Sequence, residues 1–203
     1  MSKWIFNAIL AAVGSLMSMG AVHAAPATYT MDPGHTVVLA TWDHFGFSKP
    51  SAMFDQVSGT ITYDPEHPEK SSVEASIPVA SLHTSSDKLD EHLQEGDFFD
   101  VKKWPDVTFR STRVEPGASE GTLAVTGDLS IHGQTHPITL HVTVNKLGTR
   151  PGREARIAGF NATASLKRSD FGVSLYAPMV SDQVEISITT EAVESKAWQA
   201  MQK

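Results

Sequence analysis

The residues best suited to chemistry in this 203-residue sequence are nine histidines, in a chain that contains no cysteine. His132 and His136 flank a tight-turn stretch, and His35, His44 and His141 lie in or beside extended segments. Neutral imidazole is a common transition-metal ligand, and side chains across a hairpin are near neighbours, so a two-histidine metal site is one reading. No carboxylate or thiolate stands at a recognised ligand spacing, and there is no His-Glu-x-x-His motif. Turn and strand-end histidines that bond nearby backbone are the better-supported reading. A metal-dependent or enzymatic protein using His35, His44, His132 or His136 stays open as the rival.

Other catalytic arrangements have less behind them. The sequence has no Gly-x-Ser-x-Gly elbow, and its Ser, His and Asp residues show no diagnostic spacing. No glycine-rich phosphate loop opens a helix, so a nucleotide site is not expected. Asp97 and Asp100 flank two phenylalanines. Paired carboxylates are one reading, and turn capping is the preferred one, because Asp side chains bond local backbone in turns. Arg168 and Asp170 are open to two readings: an ion pair shaping a turn, or a contact for a polar headgroup at the mouth of a cavity.

The elements that must position these residues are strands. Period-two alternation of Val, Ile, Thr and Phe runs through 29–31, 36–45, 54–63, 72–79, 107–114, 122–131, 138–147, 155–166 and 183–193. Asp32-Pro33-Gly34, Asp64-Pro65, Glu115-Pro116-Gly117, Ile131-His132-Gly133-Gln134 and Arg150-Pro151-Gly152 punctuate the runs. The expected fold is all-β, an eight-stranded antiparallel barrel. Several runs are longer than typical sandwich strands of about 5–6 residues, and Gly59 and Gly127 inside them offer bending points. A short helical insertion is expected near 86–96, capped by Ser86 or Asp87, carrying Leu89 and Leu93 and ending at Gly96. The tail from Glu194 can form a short helix with Ala197, Trp198 and Met201 on one side.

Such a barrel has room for packed side chains or one slim ligand. Val38, Ala40, Trp42 and His44 alternate onto one face of the first long strand. Phe54, Phe98, Phe99, Phe109, Phe160 and Phe171 supply the other large apolar groups. Together these ten are the candidate lining of an apolar pocket. A core filled by these same side chains, in a module that acts on envelope partners, is the alternative.

The chain carries an export address. Lys3 precedes an uncharged, mostly apolar stretch from Trp4 to Gly20, and Val22-His23-Ala24 offers small residues for a peptidase. Residues 1–24 are therefore expected to be a cleavable signal peptide, cut after Ala24, and 25–203 the single barrel domain. Only Lys3 among the charged residues is lost with the leader, so 15 basic and 23 acidic side chains remain, a formal charge of −8. That acidity argues against nucleic acid and against electrostatic docking on anionic lipid.

Ordered blocks along the chain resemble the YceI family of exported, lipocalin-like bacterial barrels. They include Asp32-Pro33-Gly34-His35-Thr36, Asp97-Phe98-Phe99-Asp100-Val101, Trp104-Pro105-Asp106-Val107-Thr108-Phe109, the stretch from Gly127 to Ile138, Arg168-Ser169-Asp170-Phe171-Gly172 and Val180-Ser181-Asp182-Gln183-Val184. The similarity spans about Tyr29 to Glu191. Departures include Thr36 where the family usually has Ser, Ala40 where a larger apolar residue is common, and Trp42 where a β-branched one is. The resemblance implies a periplasmic location, frequent dimers and no settled enzymatic activity. It also implies an apolar channel holding a polyisoprenoid, an isoprenoid quinone or a fatty-acyl chain, with no other cofactor. Burial at about 0.8 kcal/mol per CH₂ gives such a chain ample driving force with few polar contacts.

Overall fold

The structure is a computed structural model and describes residues 26–150 and 154–202. The expected signal peptide lies outside the described residues. Ten strands follow in chain order: β1 (Ala27–His44), β2 (Ser51–Phe54), β3 (Ser58–Tyr63), β4 (Ser72–Pro78), β5 (Leu82–His83), β6 (Asp106–Pro116), β7 (Thr122–Ile131), β8 (Gln134–Thr149), β9 (Arg156–Lys167) and β10 (Val180–Glu194). Two short helices join them, α1 (Asp87–Gln94) and α2 (Ser195–Met201).

Eight of these strands close a barrel. Antiparallel pairing runs β1–β3–β4–β6–β7–β8–β9–β10 and returns from β10 to β1. Closure leaves the barrel without a free edge, which satisfies the backbone all the way round. The two remaining strands are short. β2 pairs with the second half of β1, and β5 pairs with β2.

The division into strands departs from the sequence expectation most at two places. Segments 29–31 and 36–45 are halves of one strand, because β1 keeps its pairing with β10 on both sides of a register shift between Met31 and Thr36. The turn residues there form a local knot at its edge: Asp32 accepts from the Gly34 backbone N–H at 3.0 Å, and its other oxygen lies 2.9 Å from His35 Nδ1. Conversely, the run 54–63 is two strands. β2 and β3 bond different halves of β1, so the chain must leave the sheet at 55–57 between them.

Gly127 and Gly133 are among the glycines that meet close approaches. At Gly127, where β6 bulges between Ser111 and Arg113, a Cβ would lie 2.5 Å from the Arg110 carbonyl and from the Phe109 ring. At the β7–β8 turn, His132 and Gly133 both have positive φ, 50° and 74°, as a two-residue hairpin turn requires. The Trp104 ring packs against that turn, within 2.4 Å of where a Gly133 Cβ would sit.

The barrel ends are unlike. At the end holding the β3–β4 and β6–β7 turns, buried Tyr29, Tyr63 and Phe160 form a plug, with Tyr63 and Phe160 edge to face at 5.6 Å. The other end carries the β1–β2 hairpin, α1, the β7–β8 turn and the β9–β10 loop. α1 starts after Ser86, whose backbone carbonyl accepts from Leu89 and Asp90, without the side-chain cap expected of Ser86 or Asp87. It stops at Glu95, one residue before the expected Gly96. Asp90 ties the helix back to Thr84, accepting from its backbone N–H at 2.7 Å and its hydroxyl at 2.6 Å.

Candidate functional site: an apolar cavity inside the barrel

Alternation decides what the barrel interior holds. From β1, Thr36, Val38, Ala40, Trp42 and His44 point inward. Across the seam each faces a β10 partner in register: Thr190, Ile188, Ile186, Val184 and Val180. All ten of these side chains line one cavity of about 590 Å³. That volume lies within the range of small-molecule sites.

The interior is not filled by its own side chains. Ala40, Trp42, Ile77, Ile186 and Ile188 point inward yet are only partly buried, because they face a void. In a packed β-core such residues would be fully covered. The alternative of a core filled by these same side chains is therefore not what the structure has. Small residues at Ala40, Ala52, Ala75 and Ala162, where the wall needs no bulk, keep the space open.

The structure brings the ten sequence-named apolar candidates together. Val38, Ala40, Trp42, His44, Phe54, Phe98, Phe99, Phe109, Phe160 and Phe171 all line the cavity. Phe98 and Phe99 come from the loop after α1, and Phe99 meets Phe54 edge to face at 6.1 Å. Leu89 and Leu93 of α1 join them, so the insertion walls one side of the open end. The aliphatic rows Val184, Ile186, Ile188 on β10 and Val125, Leu129 on β7 line the cavity too. Sequence reasoning singled out aromatics and missed these, although their period-two spacing was the available signal.

Polar groups in the lining are few and mostly committed. Among the described residues, Arg168 is the only Lys, Arg, Asp or Glu in the lining. Its Nε donates to the Ser181 carbonyl at 2.9 Å, Nη1 to Val173 at 2.8 Å and Nη2 to Val180 at 2.9 Å. Arg168 thereby pins both ends of the β9–β10 loop. Burial pulls its pKa below the ordinary arginine value, and nearby Asp182 acts in the opposite direction. Asp170 is exposed and lies outside the lining, and among the described residues no ion pair joins it to Arg168. The carboxylate that serves this corner is Asp182, which accepts from the Ser169 N–H at 2.9 Å and hydroxyl at 2.8 Å. Slight desolvation raises the Asp182 pKa, but these two bonds and the positive charges of Arg168 and Lys167 bring it below the ordinary value.

The other candidate residues have local roles. Phe171 organises His132 and His136: the His132 Nδ1 lies 3.3 Å from the Phe171 carbonyl, and the His136 ring stands edge on to the Phe171 ring at 5.2 Å. His35 faces Asp32, His44 lies at the rim against Phe45, and His141 is exposed on β8. Among the described residues no group of three or more His, Asp or Glu is placed to hold a metal ion. The loop carrying Asp97 and Asp100 is closed by backbone. Asp100, at φ 45°, donates to the Glu95 carbonyl, and its own carbonyl accepts from Lys103 and Trp104.

A family model described as the YceI-like domain matches residues 29–192, from the first barrel strand to the last. The chain belongs to the YceI family. A UPF0312 protein of Pseudomonas syringae pv. tomato is 36% identical over 189 residues, covering 93% of this chain and 97% of that one. A UPF0312 protein of Pseudomonas putida strain W619 is 36% identical over 190 residues with the same coverage. Among solved structures, BcnA of Burkholderia cenocepacia superposes with a TM-score of 0.72 at 26% identity, covering 80% of this chain and 99% of that chain. The Campylobacter jejuni YceI protein gives 0.64 at 30%, covering 70% and 84%. A polyisoprenoid-binding domain from Saccharophagus degradans shares the YceI fold at a TM-score of 0.64 and 14% identity, covering 82% of this chain and 98% of that domain.

Proposed function

We propose that this protein is a periplasmic lipid binder, exported by a cleaved signal peptide. In this reading its barrel holds a polyisoprenoid, an isoprenoid quinone or a fatty-acyl chain for transport, storage or sequestration. The observation that carries the reading is the unfilled cavity of about 590 Å³ walled by apolar side chains. Water entering it meets few of the two to four polar partners that each buried water needs. An extended apolar chain meets aliphatic and aromatic wall along its whole length, and its burial supplies the affinity. Membership of the YceI family supports this assignment, as does the fold shared with a domain whose description names polyisoprenoid binding.

The ten apolar candidates, together with Ile186 and Ile188, form the proposed binding wall. Arg168 keeps two of its five N–H groups beyond the three on backbone carbonyls, and these are what a headgroup contact at that corner would use. The described lining residues offer binding surface, and no hydrogen bond among them joins a hydroxyl to a histidine side chain. Titration with a pyrene-labelled hexadecanoyl chain tests the reading. Saturable uptake that a prenyl alcohol displaces supports it, and the absence of uptake of either compound defeats it.

A further inference from the structure

Among the described residues, five large hydrophobic side chains are exposed: Phe45, Phe47, Tyr176, Met179 and Met201. Four of the five gather at the open end of the barrel. Phe45 and Phe47 form the tip of the β1–β2 hairpin, and Tyr176 and Met179 belong to the β9–β10 loop. The two loops are joined, since the Phe45 N–H donates to the Met179 carbonyl at 2.9 Å and His44 pairs with Val180. Phe47 is 91% exposed, so it projects from the molecule and is not part of a flat patch.

This apolar tip is continuous with the cavity. Tyr176 is half exposed and yet lines the cavity, and His44 lines it while stacking edge to face on Phe45 at 4.8 Å. The tip residues themselves carry no formal charge, and the hairpin that bears them is flanked by opposite charges, Asp43, which accepts from the Gly46 N–H at 2.7 Å, and Lys49. Neither 44–48 nor 171–181 contains Asp, Glu, Lys or Arg, in a chain whose formal charge is −7. A convex aromatic projection with no net charge, on an acidic protein, complements a soft surface with no net charge. Phe and Tyr rings with an apolar body suit the headgroup level of a bilayer.

We propose that the hairpin tip and the β9–β10 loop dock on the surface of a zwitterionic lipid bilayer, with the cavity mouth facing the membrane. The proposal rests on the lipid-binding reading for its purpose: a water-insoluble chain passes between bilayer and barrel without crossing solvent. A second copy of this chain fits the same surface less well. A projecting tip requires a receiving pocket on the partner, whereas two-fold association needs a self-complementary patch.

Sedimentation with sucrose-loaded phosphatidylcholine vesicles tests the docking, using protein purified without detergent. The native protein is expected to partition onto vesicles, and Phe47→Ser with Met179→Ser is expected to weaken this roughly tenfold or more. Phe47→Trp keeps or strengthens it, and added phosphatidylglycerol brings no gain. Neither Phe47 nor Met179 lines the cavity, so both proteins should take up the pyrene-labelled hexadecanoyl chain equally in solution. Equal vesicle partitioning of native protein and double variant overturns the proposal. So does a concentration-dependent dimer that the double substitution abolishes, without vesicle binding. Loss of probe uptake by both proteins counts against the lipid-binding reading alone, and the vesicle comparison still decides the docking surface.

Discussion

Thr36 and Thr190 meet across the seam that closes the barrel, their hydroxyl oxygens 2.7 Å apart and their side chains only 1% and 7% exposed. They are an in-register pair of β1 and β10 set in a mostly apolar wall. Each hydroxyl is the other's main partner. Thr36→Val or Thr190→Val should therefore cost about 1–3 kcal/mol, because the remaining hydroxyl is stranded in an apolar setting. The double valine variant should cost less than the sum, and less than the worse single change. Denaturant unfolding of the four proteins measures this coupling.

Filling the void separates a binding cavity from an under-packed core. Ala40 sits between Ala52 and Ile186 on the wall, facing open space. In a close-packed interior Ala40→Phe would cost about 1–3 kcal/mol through overpacking. Here the added ring enters the cavity, so stability should change by less than about 1 kcal/mol. Uptake of the pyrene-labelled chain should fall by about tenfold or more, since ring and ligand compete for the same volume. Uptake titration and thermal unfolding of one variant read both effects.

How much of this was legible in the sequence depends on the scale of the question. Period-two alternation gives the barrel, and the inward set Val38, Ala40, Trp42, His44 follows from one strand read two residues at a time. The join at Asp32–His35 was not legible. A Pro-Gly turn there looks like a strand end, and only the pairing with β10 on both sides of it makes it a bulge. The break at 55–57 is likewise set by which half of β1 each neighbour bonds. The role of Arg168 depends on carbonyls of Val173, Val180 and Ser181, brought to it by a loop whose path no local spacing encodes. That the interior is open is a question of summed volumes, and residue types alone do not give it.

The plug at the closed end makes an alkaline prediction. Tyr29 and Tyr63 both have pKa values raised above the usual 10.0. Burial is the main cause for each. Glu194 adds to it at Tyr29 while Arg156 opposes it, and Asp64 and then Tyr29 add to it at Tyr63. A folded pKa above the unfolded one means that the folded state holds its proton more tightly. The corresponding stability is fully present below pH 10.0 and is lost as pH rises through the raised folded values. Stability should decline above about pH 10, and Tyr63→Phe should flatten part of that decline. Unfolding midpoints measured across the alkaline range check it.

Arg168 is a clamp on the β9–β10 loop in this structure, and its replacement should show that first. Arg168→Met leaves three carbonyls without their charged donor and should cost roughly 2–3 kcal/mol. Hydrogen exchange should rise locally over 172–181. Exchange confined to other segments would contradict the clamp.

Whether the barrel carries an apolar chain in the cell is measured directly by mass spectrometry of organic extracts from protein purified from its host without detergent. A prenyl, quinone or acyl compound recovered in amounts comparable to the protein, and lost from Ala40→Phe, is the predicted result. An empty barrel that also refuses prenyl and acyl chains in solution would contradict the claim.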